Sequence, residues 1–171
     1  VGFRTRVTYP GGRTVTFVPD ALNRPGTLLD SDTGEIRYDY LGPARVLNRH
    51  HPNGTRLTLL TGPDDTVAAG YDDARRVVDF AHKTSGVTPA MLAEFTYGHD
   101  KVGNRLFERR VHEPSGSNWN GEVYAYDSVY RLRGWQEGAL NAEGVLQGTA
   151  TATRGYTLDG LGNWTSHSSD G

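Results

Sequence analysis

The chain has 171 residues, a formal net charge of −2 and no cysteine, which excludes a disulfide framework, a cysteine-ligated metal and a cysteine nucleophile. The near balance of 18 basic and 20 acidic residues argues against a general nucleic-acid binder, which would carry a basic stripe. Glycine contributes 22 residues, about 13% of the chain against about 7% in an average protein, so the sequence is rich in turns.

Short segments in which apolar and polar residues alternate are separated by turn signals along the whole chain. The alternation is clearest in segments 13–18, 56–60 and 122–126. Alternation with a period of two is typical of β-strands, and frequent turns between such segments predict an all-β protein. The predicted turns lie at Gly11-Gly12, Pro25-Gly26, Thr33-Gly34, Gly42-Pro43, Asn53-Gly54, Gly62-Pro63, Ser85-Gly86, Asn120-Gly121 and Asp159-Gly160.

Helix signals are nearly absent. The best candidate is segment 89–95, which is only about two turns long and continues directly into a strand pattern. No stretch approaches the roughly 18 apolar residues that a membrane-spanning helix needs, so we predict no membrane span.

Six aspartates recur in a similar local context at intervals of 19 to 33 residues. The preceding residue is most often tyrosine, the residue three positions before is apolar or aromatic, and glycine, asparagine or arginine usually follows after three or four positions. Internal self-similarity of this kind indicates a repeat protein. The six are Asp20, Asp39, Asp72, Asp100, Asp127 and Asp159.

Each position of the repeat has a physical role in a β-hairpin. The aspartate opens a tight turn, glycine or asparagine supplies a positive φ, and the following arginine covers a tyrosine ring or pairs with the aspartate. Aromatic residues two positions apart share one face of a strand. The predicted repeat residues are the aromatics Tyr38, Tyr71, Tyr97, Tyr124, Tyr126 and Tyr156, the turn residues Asp39, Asp72, Asp100, Gly103, Asn104, Asp127, Asp159, Gly162 and Asn163, and the closing arginines Arg76, Arg105 and Arg131.

Segments 71–77, 97–105 and 124–132 resemble YD repeats, the units of rearrangement-hotspot (RHS) proteins, of the cage-forming component of insecticidal toxin complexes and of teneurins. Segments 9–13 and 51–55 resemble the Tyr-Pro-Asn-Gly variant of that family. The resemblance covers essentially the whole chain and implies a continuous β-sheet spiral. In the relatives this spiral forms a hollow shell that can enclose a toxic C-terminal domain or serve as an adhesion scaffold.

The toxin-bearing relatives end their shell at an Asp-Pro self-cleavage site, whereas this sequence contains no Asp-Pro dipeptide. The resemblance therefore assigns neither autoproteolysis nor a toxin payload to these residues. A full shell would also need several times as many repeats. We expect residues 1–171 to be a single YD-repeat region, either a segment of a larger protein or a short self-assembling version.

Candidate chemistry outside the repeat is sparse. The six histidines lack the spacing of metal-ligand motifs, and the aspartates are explained by turns better than by calcium binding. We predict no catalytic, cofactor-binding or metal site. Trp119, at the centre of the polar segment 115–121, is a possible ligand contact, since an exposed tryptophan can stack on a sugar.

The predicted function is that of a non-catalytic wall segment in a secreted or cell-envelope protein, where the shell encloses or presents another domain for toxin delivery or adhesion. The predicted partners are further YD repeats of the same or identical chains, with an enclosed C-terminal toxin domain or surface glycans as further options and no nucleic acid. Two alternatives stay open, a carbohydrate or cell-surface binding module and a self-assembling extracellular β-fibre.

Overall fold

The computed structural model describes residues 4–61, 65–67, 69–112 and 120–170, and every regular element within them is a β-strand. Antiparallel strands follow one another in chain order through a single 13-stranded sheet, which confirms the all-β prediction. None of the described residues lies in a helix that could cross a membrane. The strands are β1 (Arg6–Thr8), β2 (Thr14–Pro19), β3 (Pro25–Asp30), β4 (Gly34–Leu41), β5 (Arg45–His50), β6 (Thr55–Thr58), β7 (Asp79–Thr84), β8 (Met91–His99), β9 (Arg105–His112), β10 (Asn120–Tyr126), β11 (Leu132–Ala139), β12 (Ala152–Leu158) and β13 (Trp164–Asp170).

The described residues form two compact units, one ending at Leu92 and the other beginning at Ala93. Buried apolar side chains are few among the described residues of each unit: Leu59 and Ala81 in the first, and Leu140 in the second. Backbone hydrogen bonds and side-chain pairs between neighbouring strands, rather than a deep core, therefore hold each unit together.

Several hairpins share a β-bulge just before the turn that joins their two strands. The register shifts between Gly98 and His99 in β8 and between Ala125 and Tyr126 in β10. A bulge bends the strand and redirects the side chain that follows it. The same shift occurs at Val18/Pro19, Asp39/Tyr40 and Thr157/Leu158.

The structure corrects the predicted role of Asp39. This residue lies inside β4, opposite Asn48 of β5, and the turn begins two residues later at Leu41. Tyr38 and Tyr40 therefore occupy the two aromatic positions of this repeat, and Leu41 stands where the other repeats have aspartate. The Tyr38-Asp39 dipeptide matches the repeat motif, but the hairpin register places the bulge after Asp39.

The structure also tests one helix candidate and corrects two predicted turns. The weak helix candidate at 89–95 runs into strand β8, as the strand pattern that follows it indicates. Pro25-Gly26 and Asn120-Gly121 lie within β3 and β10 instead of turns. At Gly121 glycine permits a close approach, since a Cβ would collide with the Glu108 carbonyl and the Leu140 side chain. The predicted turn at 62–63 lies outside the described residues.

Candidate functional site

The candidate site is the set of turns that the repeated aspartates open. In the turn that joins β8 to β9, the Asp100 N–H donates to the Asn104 carbonyl at 2.9 Å, and the Gly103 N–H donates to the Asp100 carbonyl at 3.2 Å. Gly103 has a φ of 100°. This pattern is a type I turn followed by a left-handed residue, one of the standard connections of a β-hairpin.

The aspartate carboxylate binds its own turn from within. Asp127 Oδ1 accepts the Val129 N–H at 3.0 Å and the Arg131 N–H at 2.9 Å, while Oδ2 accepts Arg131 Nε at 2.7 Å. One side chain thus satisfies two backbone donors and closes an ion pair with the first residue after the turn. Asp20 with Arg24 and Asp72 with Arg76 form the same carboxylate–guanidinium pair.

Asparagine replaces the closing arginine in two turns without changing the arrangement. Asn104 Nδ2 donates to Asp100 Oδ2 at 2.7 Å, and Asn163 Nδ2 donates to Asp159 Oδ2 at 2.9 Å. Both side chains present an N–H at the same point, which explains why the repeat tolerates either residue. Arg105, the next residue after Asn104, instead binds Glu108 at 2.6 Å and lies 4.7 Å above the centre of the Tyr97 ring.

The fourth residue of each turn adopts a left-handed backbone conformation even where it is not glycine. Gly162 has a φ of 91° and donates its N–H to the Asp159 carbonyl at 3.1 Å. Asn23, Arg75 and Tyr130 occupy the same position with φ between 58° and 66°. Those three residues carry a conformational cost that glycine avoids.

Sequence reasoning missed a turn of the same type at Asn141. The Asn141 N–H donates to the Val145 carbonyl at 2.9 Å, and its Oδ1 accepts the N–H groups of Glu143 and Val145. Gly144 supplies the positive φ of 77°. The signal was an asparagine followed three residues later by glycine, which matches the spacing of Asp100 and Gly103 but lacks the preceding tyrosine.

Where a tyrosine directly precedes the turn, it connects its hairpin to the preceding one. Tyr126 Oη donates to the Arg105 carbonyl at 2.9 Å. Arg105 is the fifth residue after Asp100, which opens the preceding turn. The same bond, at 2.8 Å, runs from the Tyr40 hydroxyl to the Pro25 carbonyl and from the Tyr71 hydroxyl to the Val46 carbonyl. In each case the acceptor is the fifth residue after the one that opens the preceding turn. We call these hydroxyl-to-carbonyl bonds the tyrosine links.

Arginines at the end of one turn cover the linking tyrosine of the next. The Arg24 guanidinium lies 4.0 Å above the centre of the Tyr40 ring and donates to the Gly42 carbonyl at 2.5 Å. Arg45 lies 5.6 Å above the Tyr71 ring. Where Leu158 replaces the linking tyrosine, Arg131 Nη1 donates directly to the Asp159 carbonyl at 2.9 Å. Neighbouring turns within a unit are thus joined through rings, cations and backbone carbonyls.

The aromatic residues three positions before the turn have more varied partners. Tyr38 stacks on Tyr40 with ring centres 6.3 Å apart, and Tyr156 packs on Trp164 at 5.0 Å. Tyr124 instead donates its hydroxyl to Glu122 Oε2 at 2.5 Å. These aromatics therefore do not form one uniform stack.

Glu122 is the centre of a polar network across β9, β10 and β11. Its Oε2 accepts Tyr124 Oη and Trp135 Nε1, the latter at 2.9 Å, while Oε1 accepts Arg110 Nη2 at 2.8 Å. Glu108 and Glu137 stand directly opposite Glu122 on the two neighbouring strands. Arg110 also lies 3.8 Å from a carboxylate oxygen of Glu108 and 3.8 Å from one of Glu137, so its guanidinium is close to all three carboxylates.

Hydrogen bonds keep the turn carboxylates ionised. The Arg131 N–H is the largest cause that lowers the pKa of Asp127, and the Arg24 side chain is the largest for Asp20. Partial burial opposes this effect at Asp100, but hydrogen bonds from the Asn104 side chain and backbone outweigh it and lower that pKa too. Burial, followed by the hydrogen bond to Glu122, raises the pKa of Tyr124 to about 12.

The displaced Asp39 has its own set of partners. Its Oδ2 lies 2.8 Å from His50 Nε2 and accepts Asn48 Nδ2 at 3.1 Å. These residues lie on adjacent strands and form a small polar cluster. Burial would raise the pKa of Asp39, but the bonds from His50 and Asn48 lower it.

The remaining candidates add no site. Within the described ranges, no three histidine, aspartate or glutamate side chains lie close enough together to hold a metal ion. Trp119, the possible ligand contact, falls outside the described residues.

No protein-family model matches the sequence, and no curated protein is significantly similar to it. The fold is similar to solved structures of Tc toxin complexes. A chain of the Photorhabdus luminescens Tc holotoxin pore matches 95% of this chain with 21% identity and a TM-score of 0.67. Chains of the complexes TcdB2–TccC3–Cdc42 and TcdB2–TccC3–TEV each match 92% with 20% identity, at TM-scores of 0.56 and 0.53.

The matched region is a small part of those neighbours, since this chain spans only 8% to 9% of their length. At this identity the likeness concerns the fold alone. It supports the RHS/YD-like fold that the repeat motifs imply.

Proposed function

We propose that the chain is a non-catalytic wall segment of a larger, secreted or cell-envelope YD-repeat protein, whose shell encloses or presents another domain. The tyrosine links carry this proposal. Each bonds one hairpin to a backbone carbonyl of the hairpin before it, so the repeat residues serve to join neighbouring hairpins. The likeness to chains of Tc toxin complexes supports such a role.

The proposed partner is a further YD repeat, and β13 is the edge where it would pair. All seven residues of this strand are exposed. An exposed edge strand presents unpaired backbone groups to another strand, and charged side chains such as lysine oppose that pairing. In a longer protein the next hairpin would continue the sheet at this edge.

Size-exclusion chromatography with light scattering, over a range of concentrations, tests this edge. We expect the 171-residue chain to associate through its edges, and Ser166→Lys in β13 to reduce the associated fraction. Ser128→Lys, in an exposed turn, is the matched control and should leave association unchanged. A monomer at every concentration, or equal effects of both variants, would contradict the proposal and favour a self-contained binding module.

A further inference from the structure

A concave site lies on one face of β12 and β13. It has a volume of about 330 Å³ and is lined by Arg154, Tyr156, Trp164, His167 and Ser169. Arg154 stands opposite Ser169, and Tyr156 stands opposite His167, so the polar and aromatic groups point to the same side of the sheet. This volume is at the lower end of the range for small-ligand sites, about 300–1,000 Å³.

Two aromatic rings form the floor of this site. Trp164 remains 69% exposed although its ring centre is only 5.0 Å from that of Tyr156, at an angle of 32°. The pair therefore presents a broad, accessible π surface. The C–H groups of a pyranose ring carry partial positive charge and pack well on the negative face of such rings.

A cation without a carboxylate partner borders the rings. The Arg154 guanidinium lies 5.3 Å from the centre of the Trp135 ring, and no ion pair joins it to an acidic side chain in the part of the chain that the structure describes. Arg110 and Arg131, by contrast, are both paired. Stacking leaves the in-plane N–H groups of a guanidinium available, and these match a carboxylate with two parallel hydrogen bonds.

We propose that this face binds a carboxylated sugar, such as a hexuronic or sialic acid residue. Its ring would stack on Trp164 and Tyr156, its carboxylate would pair with Arg154, and His167 and Ser169 would bind its hydroxyl groups. A neutral sugar would leave the cation unpaired, and an inorganic anion would leave the aromatic surface unused. The proposal does not depend on the shell function.

Titration of the 171-residue chain, followed by tryptophan fluorescence and by NMR, tests this site with methyl β-D-glucuronide and the methyl α-glycoside of N-acetylneuraminic acid. Methyl β-D-glucoside is the neutral counterpart of the glucuronide. We expect at least one acid to bind about tenfold more tightly than the glucoside, because its carboxylate adds two charge-assisted hydrogen bonds to Arg154.

Two exposed-site variants identify the groups responsible. Arg154→Gln should reduce binding of the acid to the level of the glucoside, and Trp164→Ala should abolish binding of both. Arg133→Gln, on an exposed residue of β11, and Leu161→Ala, in an exposed turn, are the matched controls, with far-UV circular dichroism to verify folding. Failure of both acids to bind, equal binding of acid and glucoside, or binding unaffected by Arg154→Gln and Trp164→Ala would overturn the proposal.

Discussion

A linking tyrosine stabilises its unit through one hydroxyl group whose effect can be isolated. Tyr126→Phe removes the bond to the Arg105 carbonyl and keeps the ring, so we expect the free energy of unfolding to fall by about 1 kcal/mol. Urea denaturation measures the change. Tyr130→Phe, on a tyrosine that is 58% exposed, is the control and should have no measurable effect. Equal losses in both variants would contradict the role of the link.

At the left-handed position of the turn, we expect substitutions at Tyr130 and Gly103 to change stability in opposite directions. Tyr130→Gly should stabilise the protein by about 0.5 kcal/mol, because relief of a left-handed backbone, about 1–2 kcal/mol, exceeds the extra entropy that glycine loses. Gly103→Ala should destabilise it by about 1 kcal/mol for the converse reason. Thermal unfolding of both variants provides the measurement. Shifts of the same sign would show that backbone conformation does not decide stability here.

Local roles could be predicted from the sequence at this scale, whereas partners on other strands could not. An aspartate can bind the N–H two residues later within its own turn, so the bond from the Val129 N–H to Asp127 follows from the local sequence. Glu122, Tyr124 and Trp135 meet only because β10 and β11 pair in one register. No local pattern in the sequence fixes that register.

At the scale of the turn, the lowered pKa values make the protein sensitive to acid. A carboxylate whose pKa is lower in the folded state contributes stability above the unfolded value, near pH 4, and this contribution is lost as the pH falls through the folded value. The turn aspartates share this direction. We therefore expect the urea midpoint to fall steeply below about pH 4.

Substitutions at two equivalent turns test the origin of this acid sensitivity. Asp127→Asn should flatten the decline of the urea midpoint between pH 4 and pH 2, because an amide does not titrate. Asn141→Asp should steepen it, since it places an ionisable group in the same turn geometry. A pH profile that neither substitution changes would assign the acid sensitivity to other groups.

At the scale of the strand, Arg110 neutralises a row of three glutamates. Arg110→Met should destabilise the protein by about 2 kcal/mol at pH 7, because Glu122 loses a charged hydrogen bond beside two like charges. Arg105→Met is the control, since Arg105 is more exposed and its ion pair joins it to Glu108 at the edge of the row; it should cost less than about 1 kcal/mol. Urea denaturation in low and high salt measures both. A larger loss for Arg105→Met would contradict the central position of Arg110.

The element scale also shows where sequence reasoning fails. Alternation and turn signals were enough to predict antiparallel strands, because both are local. The turn predicted at Asp39 was wrong, because tyrosines flank that aspartate on both sides and either could be the residue before the turn. Only the pairing of β4 with β5 selects Tyr40 as the linking residue. Sequence alone also did not predict the site on β12 and β13, whose residues come together across a bulged strand pair.

For the whole molecule, each hairpin contacts mainly its neighbours, so we expect a destabilising substitution to loosen only the strands near it, as in other repeat proteins. Tyr71→Phe should accelerate backbone hydrogen exchange among the strands of the first unit, and Tyr126→Phe among those of the second. Mass spectrometry of the exchanged chain resolves the two regions. Uniform acceleration along the chain by either variant would show that it unfolds as one cooperative body.

The acceptor of each tyrosine link has a consequence for how such proteins evolve. Proline, valine and arginine all serve as acceptors, because only their backbone carbonyl takes part. A gene that duplicates one hairpin therefore needs no compensating substitution elsewhere, since the new copy brings its own tyrosine and finds a carbonyl already in place. Repeat number can then change by recombination while the surrounding sequence drifts freely.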